Sequence, residues 1–314
     1  MRNFSLVCLL LGIICAQRAV AQKTPEISAK QTPNQVTVPL ILEGNRPYIE
    51  LNFYRADGSK RTARFLVDSG GGGFLLSEPL ARDLGLTWGP INQEGGQKFA
   101  SAQTVPVVSV GEFVLQLNPQ RVAVTIGRDS LTPKGAPGHA DGLFPGHVLA
   151  QYHVVFDYPK GTFTLARPGV LTPKGEALPM PVAKRSGFPR TEIEVDGKTY
   201  GFLIDTGASF TMVSAALLKS WGNDHPDWER HPGAFGEAAT LGGQTLETMF
   251  VPGGRWGPHK LDRFGVTSQI EGTFEKWMSG MMAAPIVGSL AGNVLKRFRV
   301  ELDYPNNTLY LSAP

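Results

Sequence analysis

Two stretches of the chain are near copies of each other. Residues 142–165 read GLFPGHVLAQYHVVFDYPKGTFTL and residues 288–311 read GSLAGNVLKRFRVELDYPNNTLYL, an offset of 146 without a gap. Ten of the 24 positions are identical, including Gly146/Gly292, Val154/Val300 and Asp157-Tyr158-Pro159 against Asp303-Tyr304-Pro305. Upstream, FLVDSGGGGFLLS at 65–77 is echoed by FLIDTGASFTMVS at 202–214, with an offset of 137. Weaker echoes join Pro47–Phe53 to Pro189–Val195, and Gly95-Gly96-Gln97 to Gly242-Gly243-Gln244. A period of about 20–50 residues would indicate a solenoid. A period near 146 residues, with the motifs in the same order, indicates a duplicated domain and a fold of two similar halves.

The repeat sets the expected boundaries: residues 36–168 as an N-terminal lobe, 169–177 as a linker around Pro173 and Gly175, and 178–314 as a C-terminal lobe. Residues 1–21 read as an export signal. Arg2 is followed by an apolar run from Phe4 to Cys15, shorter than the about 20 residues a membrane helix needs, and then by Ala19-Val20-Ala21. Residues 22–35 are polar and read as a flexible leader. The protein is expected to be periplasmic or secreted. Both cysteines, Cys8 and Cys15, fall inside the signal, so the exported chain is expected to rely on its core rather than on disulfides. Without Arg2 and Arg18 the chain carries 28 basic against 27 acidic residues. That balance excludes a polybasic nucleic-acid binder, and no second apolar run is long enough to span a membrane.

Each half reads as β-rich. The chain of 314 residues holds 37 Gly and 24 Pro, punctuation that suits many short strands. Ile49–Phe53 alternates apolar and polar residues, and Phe65–Val67 and Phe202–Ile204 are short apolar runs that end at an acid. Ser77 and Ser214 stand where they can cap short helices, with Pro79 tolerated in the first turn. Further short helices are expected over residues 147–152 and 293–298, each followed by a strand ending at Asp-Tyr-Pro and a hairpin returning through 162–165 and 308–311.

The repeated acids carry the chemistry. A single Asp-Ser-Gly or Asp-Thr-Gly after a strand is a common turn. Two copies, at Asp68 and Asp205, in equivalent places of a duplicated fold would meet across a pseudo-two-fold axis. Two carboxylates that close share one proton, so one can act as base on a water and the other as acid toward a carbonyl oxygen.

At these residues the chain resembles the pepsin/retropepsin-like aspartic peptidases, in particular their exported bacterial members with both halves in one chain. The resemblance covers nearly all of residues 36–314. It implies an all-β, bilobal pepsin-like fold with two homologous barrel-like halves. It also implies Asp68 and Asp205 as the catalytic pair, Ser69 and Thr206 as interlocked hydroxyls, and Gly70 and Gly207 as points of close backbone approach. It implies an aspartic endopeptidase that works as a monomer on an extended peptide, with no cofactor. Gly95, Gly96 and Gln97 are expected on a substrate-covering flap. Gly71-Gly72-Gly73 and Pro145 depart from the family pattern and motivate an alternative, a catalytically weakened peptide-binding pseudo-peptidase of the same fold. A structural envelope protein is a third possibility, against which the two acids speak.

Other chemistries fit less well. Gly70–Gly73 lacks the Lys-Ser/Thr of a phosphate-binding loop. Asp224, His225 and His231 lack metal-site spacing and read as a surface loop. No Gly-x-Ser-x-Gly elbow is present. Asp157 and Asp303 read as turn residues, and Trp256, Trp277 and Met278–Met282 as core or cleft lining.

Overall fold

A computed structural model of the protein describes residues 32–55, 57–94, 97–132, 136–232, 247–269 and 271–313. The alternation expected near residue 50 appears in the strand Arg46–Tyr54. Ile49, Leu51 and Phe53 are fully buried along it while Glu50 faces out. Its antiparallel partner, Lys60–Asp68, buries Phe65 and Val67 and presents Asp68 at its end.

The two lobes repeat one strand order. In the first lobe it runs Trp88–Glu94, Gln97–Ala102, Val122–Thr125, Phe74–Ser77, Gly142–Pro145, Lys60–Asp68, Arg46–Tyr54. In the second it runs Arg230–Pro232, Glu247–Trp256, His259–Gln269, Thr211–Ser214, Gly288–Leu290, Lys198–Ile204, Arg190–Val195. In each, the strand ending at the acid lies parallel to a threaded strand, Gly142–Pro145 or Gly288–Leu290. That strand is in turn antiparallel to the one that follows the acid loop. The acid loop is therefore pinned on both sides. In the second lobe Glu194 also pairs with Arg255, drawing the sheet toward closure.

A six-stranded antiparallel sheet joins the lobes, in the order Gln35–Pro39, Thr162–Ala166, His153–Asp157, Arg299–Asp303, Thr308–Ser312, Glu176–Pro179. Its middle pair has the register that a pseudo-two-fold axis requires. His153 faces Asp303, Asp157 faces Arg299, and Val155 faces Glu301 at the centre. Along these strands Val154, Phe156, Val300 and Leu302 are fully buried and belong to the main apolar core. In the first lobe that core is a chain of aromatic rings, Phe53, Phe65, Phe74, Phe144, Phe163 and Phe156, with centroids 5.2–6.4 Å apart.

Ser77 accepts from the Leu80 amide and Ser214 from the Leu217 amide, capping helices Glu78–Asp83 and Ala215–Asp224 as expected. The other two helices are shorter than expected and start one residue earlier, at Gly146–Leu149 and Gly292–Leu295. Gln35, expected in the leader, opens a strand that pairs with Ala166, and the strand Glu176–Pro179 begins inside the expected linker. Both lie at edges of the central sheet, where Val36, Val38 and Leu178 pack against the core. Residues 1–31, with the expected signal and most of the leader, lie outside the described residues. Among the described residues no helix is long and apolar enough to cross a membrane.

Candidate active site

Asp68 ends the strand Lys60–Asp68 and Asp205 directly follows the equivalent strand Lys198–Ile204, and their loops meet where the lobes abut. The junction is made by two hydroxyls. Ser69 Oγ donates to the Ile204 carbonyl (2.6 Å) and accepts from the Thr206 amide (3.0 Å). Thr206 Oγ1 donates to the Val67 carbonyl (2.8 Å) and accepts from the Ser69 amide (3.0 Å). Both residues are fully buried. Each hydroxyl thus fills both of its roles on the opposite lobe, and four cross-lobe bonds fix the spacing of the two strand ends.

Glycines let each loop close on the opposite carboxylate. A Cβ on Gly207 would overlap the Asp68 carboxyl group, and one on Gly70 would press on that of Asp205 at 3.1 Å. Asp68 Oδ1 accepts from the Gly70 amide (3.0 Å) and Asp205 Oδ1 from the Ala208 amide (3.1 Å). Each carboxyl is thus held by an amide of its own loop, two residues on for Asp68 and three residues on for Asp205. Gly71 is needed too, because a Cβ there would lie 2.9 Å from Asp68 Oδ2. Pro145 has no N–H, and it needs none: the equivalent Ala291 amide donates to Thr211 Oγ1 (3.2 Å), and the first lobe has Phe74 in place of that Thr. The next amide, Gly146, donates to the Gly71 carbonyl (3.2 Å). In the second lobe Gly292 makes the same bond to Ala208 (3.0 Å).

Both acids are half-buried. Burial pushes the Asp68 carboxyl above the ordinary carboxylate range, and the nearby charge of Asp205 pushes it further; the Gly70 amide and the Arg46 guanidinium oppose this. Burial likewise raises Asp205, opposed by the Ala208 and Gly207 amides and by Arg46. Such a pair holds one proton over a wide pH span.

Strand alternation brings apolar side chains to the same face as the acids. Leu66 belongs to a cluster with Tyr48, Leu131, Ala140, Leu75 and Leu143. Leu203 belongs to another with Phe188, Phe274 and Ile286, flanked by Met212, Met278, Met281 and Met282. Trp277 is exposed beside the methionines, whereas Trp256 is core.

The structure brings together six of the residues singled out in the sequence: Asp68, Ser69, Gly70, Asp205, Thr206 and Gly207. Gln97 opens a strand, Gln97–Ala102, antiparallel to Trp88–Glu94, and Gly95 and Gly96 lie outside the described residues. Asp157 and Asp303 cap their turns through the Lys160 and Asn306 amides, as expected.

Three residues went unnoticed in the sequence. Arg46 is almost wholly buried and donates from Nε to the Gly207 carbonyl (2.8 Å). Tyr158 and Tyr304 bury hydroxyls that have no hydrogen-bond partner among the described residues. Burial, then the charge of Asp205 on Tyr158 and of Asp68 on Tyr304, pushes both phenols above their ordinary range. The repeated Asp-Tyr-Pro was the available signal for the tyrosines. Arg46 has none, because the repeat begins one residue later.

Two lobes of one topology, a central sheet and paired acid loops define the pepsin-like aspartic proteinase fold. Residues 191–260 match the family described as aspartyl protease. The aspartic proteinase from Irpex lacteus is a solved structure of similar fold, with a TM-score of 0.52 and 14% identity over 89% of this chain and 97% of that one. No curated protein matches the chain. The chain thus resembles the pepsin/retropepsin-like aspartic peptidases in fold and in family signature.

Proposed function

We propose that the protein is an aspartic endopeptidase in which Asp68 and Asp205 together activate a water for attack on a peptide bond. The observation that carries this reading is the reciprocal Ser69–Thr206 lock, which sets the loops of the two raised carboxyls against each other. In the singly protonated pair, the ionised carboxylate takes a proton from water as its oxygen attacks the carbonyl carbon. The protonated partner gives its proton to the carbonyl oxygen. The tetrahedral diol then collapses: one of its hydroxyls returns a proton to the ionised carboxylate, the C–N bond breaks, and the amine leaves with the proton of the other carboxyl, so the pair ends singly protonated. The apolar clusters around Leu66 and Leu203 flank the dyad and suit an extended peptide with apolar side chains on either side of the scissile bond.

The chain supplies both half-sites, so it acts as a monomer, exported through residues 1–21 to the periplasm or the medium. The test is cleavage of a mixed peptide library by the purified protein at acid and near-neutral pH, with product termini read by mass spectrometry. A statine-type transition-state mimic, whose hydroxyl replaces the attacking water, should abolish that cleavage. Tight binding of peptides without cleavage would instead establish the weakened, peptide-binding alternative.

A further inference from the structure

The first lobe reaches across to the second through one hairpin tip. Strand Ile41–Glu43 turns back into Arg46–Tyr54 through Gly44 and Asn45, both at positive φ (54° and 62°), with Glu43 opposite Arg46. The tip grips the loop that follows Asp205. Asn45 Nδ2 donates to the Ser209 carbonyl (3.1 Å), and Arg46 Nε donates to the Gly207 carbonyl (2.8 Å). Lys296 Nζ donates to Asn45 Oδ1 (2.9 Å), and the Asn45 carbonyl leaves no room for a Cβ at Gly292.

The second lobe has a corresponding turn without the charge. The echo of Pro47–Phe53 in Pro189–Val195 sets Gly187 against Asn45 and Phe188 against Arg46. Gly187 packs on the backbone of Gly146 and His147, and Phe188 joins the apolar cluster with Leu203. A guanidinium therefore stands on one side of the pair and an aromatic ring on the other. Arg46 is 3% exposed, and among the described residues no carboxylate forms an ion pair with it. Burying an unpaired cation is unfavourable, and packing alone would be met by a second Phe. An arginine guanidinium carries a fixed positive charge in proteins.

We propose that Arg46 is a positioning residue for the dyad, its guanidinium locking the Asp205 loop through Gly207 while holding a permanent positive charge beside the two carboxyls. This rests on the peptidase reading for its catalytic consequence. The charge favours the ionised state of both acids, in agreement with the downward pull of Arg46 on each. It offsets part of the rise imposed by burial and moves the singly protonated window toward acid. The other titratable groups facing this corner are Glu43, engaged by Arg64, Lys296 beneath Asn45, and Tyr158 and Tyr304 in the field of the acids.

The test compares wild type with R46Q, R46M and R46K in the full chain. The dyad is titrated by NMR of 13C-carboxyl-labelled Asp, and the pH–activity curve is recorded alongside. Loss of the charge should raise both titrations of the pair by about one pH unit and carry both limbs of the curve upward with them. R46K should leave the titrations in place. R46Q keeps an N–H for the Gly207 carbonyl, so it carries the comparison if R46M does not fold. Folded neutral variants that titrate like wild type would overturn the proposal, as would a lower kcat with unmoved limbs, which marks a purely structural Arg46. If wild type cleaves no peptide, the peptidase reading falls, while the carboxyl titration still decides the role of Arg46.

Discussion

Ser69 and Thr206 show how much one hydroxyl can hold when it is buried between lobes. Each bonds one carbonyl and one amide of the opposite strand, so its removal orphans both. A buried group left unsatisfied costs about 1–3 kcal/mol. Thr206→Val keeps the shape and loses the hydroxyl. It should lower unfolding stability by about 2–4 kcal/mol on that basis, measured by denaturant titration, with kcat falling alongside.

The dyad acts on stability in the opposite sense. A carboxyl whose folded value is raised stabilises the fold at pH below its ordinary range. It gives up that contribution as the pH climbs toward the folded value, because the unfolded chain ionises first. Asp205→Asn should therefore be at least as thermostable as wild type near neutrality, and its advantage should vanish in strong acid. A Tm series across pH checks this.

At the scale of elements, the central sheet carries its own acid-sensitive fastening. Glu301 is fully buried at the pseudo-two-fold centre. It bonds His153 of the first lobe (2.7 Å) and pairs with Arg299 of the second. Burial pushes its carboxyl up, but the His153 and Arg299 contacts outweigh that and hold it below the usual range. This contribution is full above the ordinary Glu range and is lost as the pH falls through the lowered value. Glu301→Gln should cost about 1–3 kcal/mol near neutrality, because it weakens the charge-assisted bonds to His153 and Arg299 while Arg299 keeps Asp157 as a partner (3.7 Å), and it should flatten the acid side of the stability curve. The flap expected from the sequence makes a second element-scale prediction. Gly95→Val with Gly96→Val should cut turnover and leave the Tm unchanged. Unchanged kinetics would remove the flap from the mechanism.

For the whole molecule, the internal repeat made the lobes and the two acid loops legible before any coordinates, because a duplication places equivalent residues around one axis. Ser77, Ser214 and the strand ends at Asp157 and Asp303 were legible for local reasons of capping and turn chemistry. The central-sheet edges at Gln35–Pro39 and Glu176–Pro179 were not, because their partners lie far away in sequence and runs of five and four residues are too short for their pattern to fix a boundary. Arg46 escaped because an asymmetric residue cannot be found by looking for symmetry. One chain supplies both half-sites, so specific activity should not fall on dilution and the active species should elute as a monomer. A strictly dimeric active form would count against the single-chain site.

The most direct test of the central claim is kcat/KM on one cleaved peptide for wild type, Asp68→Asn and Asp205→Asn across pH. Wild type should give a bell-shaped curve whose acid limb lies above the ordinary carboxylate range, since burial raises both acids. Each Asn variant should stay folded and lose several powers of ten, because neither carboxyl can perform both proton transfers. Full activity in a folded Asp68→Asn or Asp205→Asn protein would contradict the account.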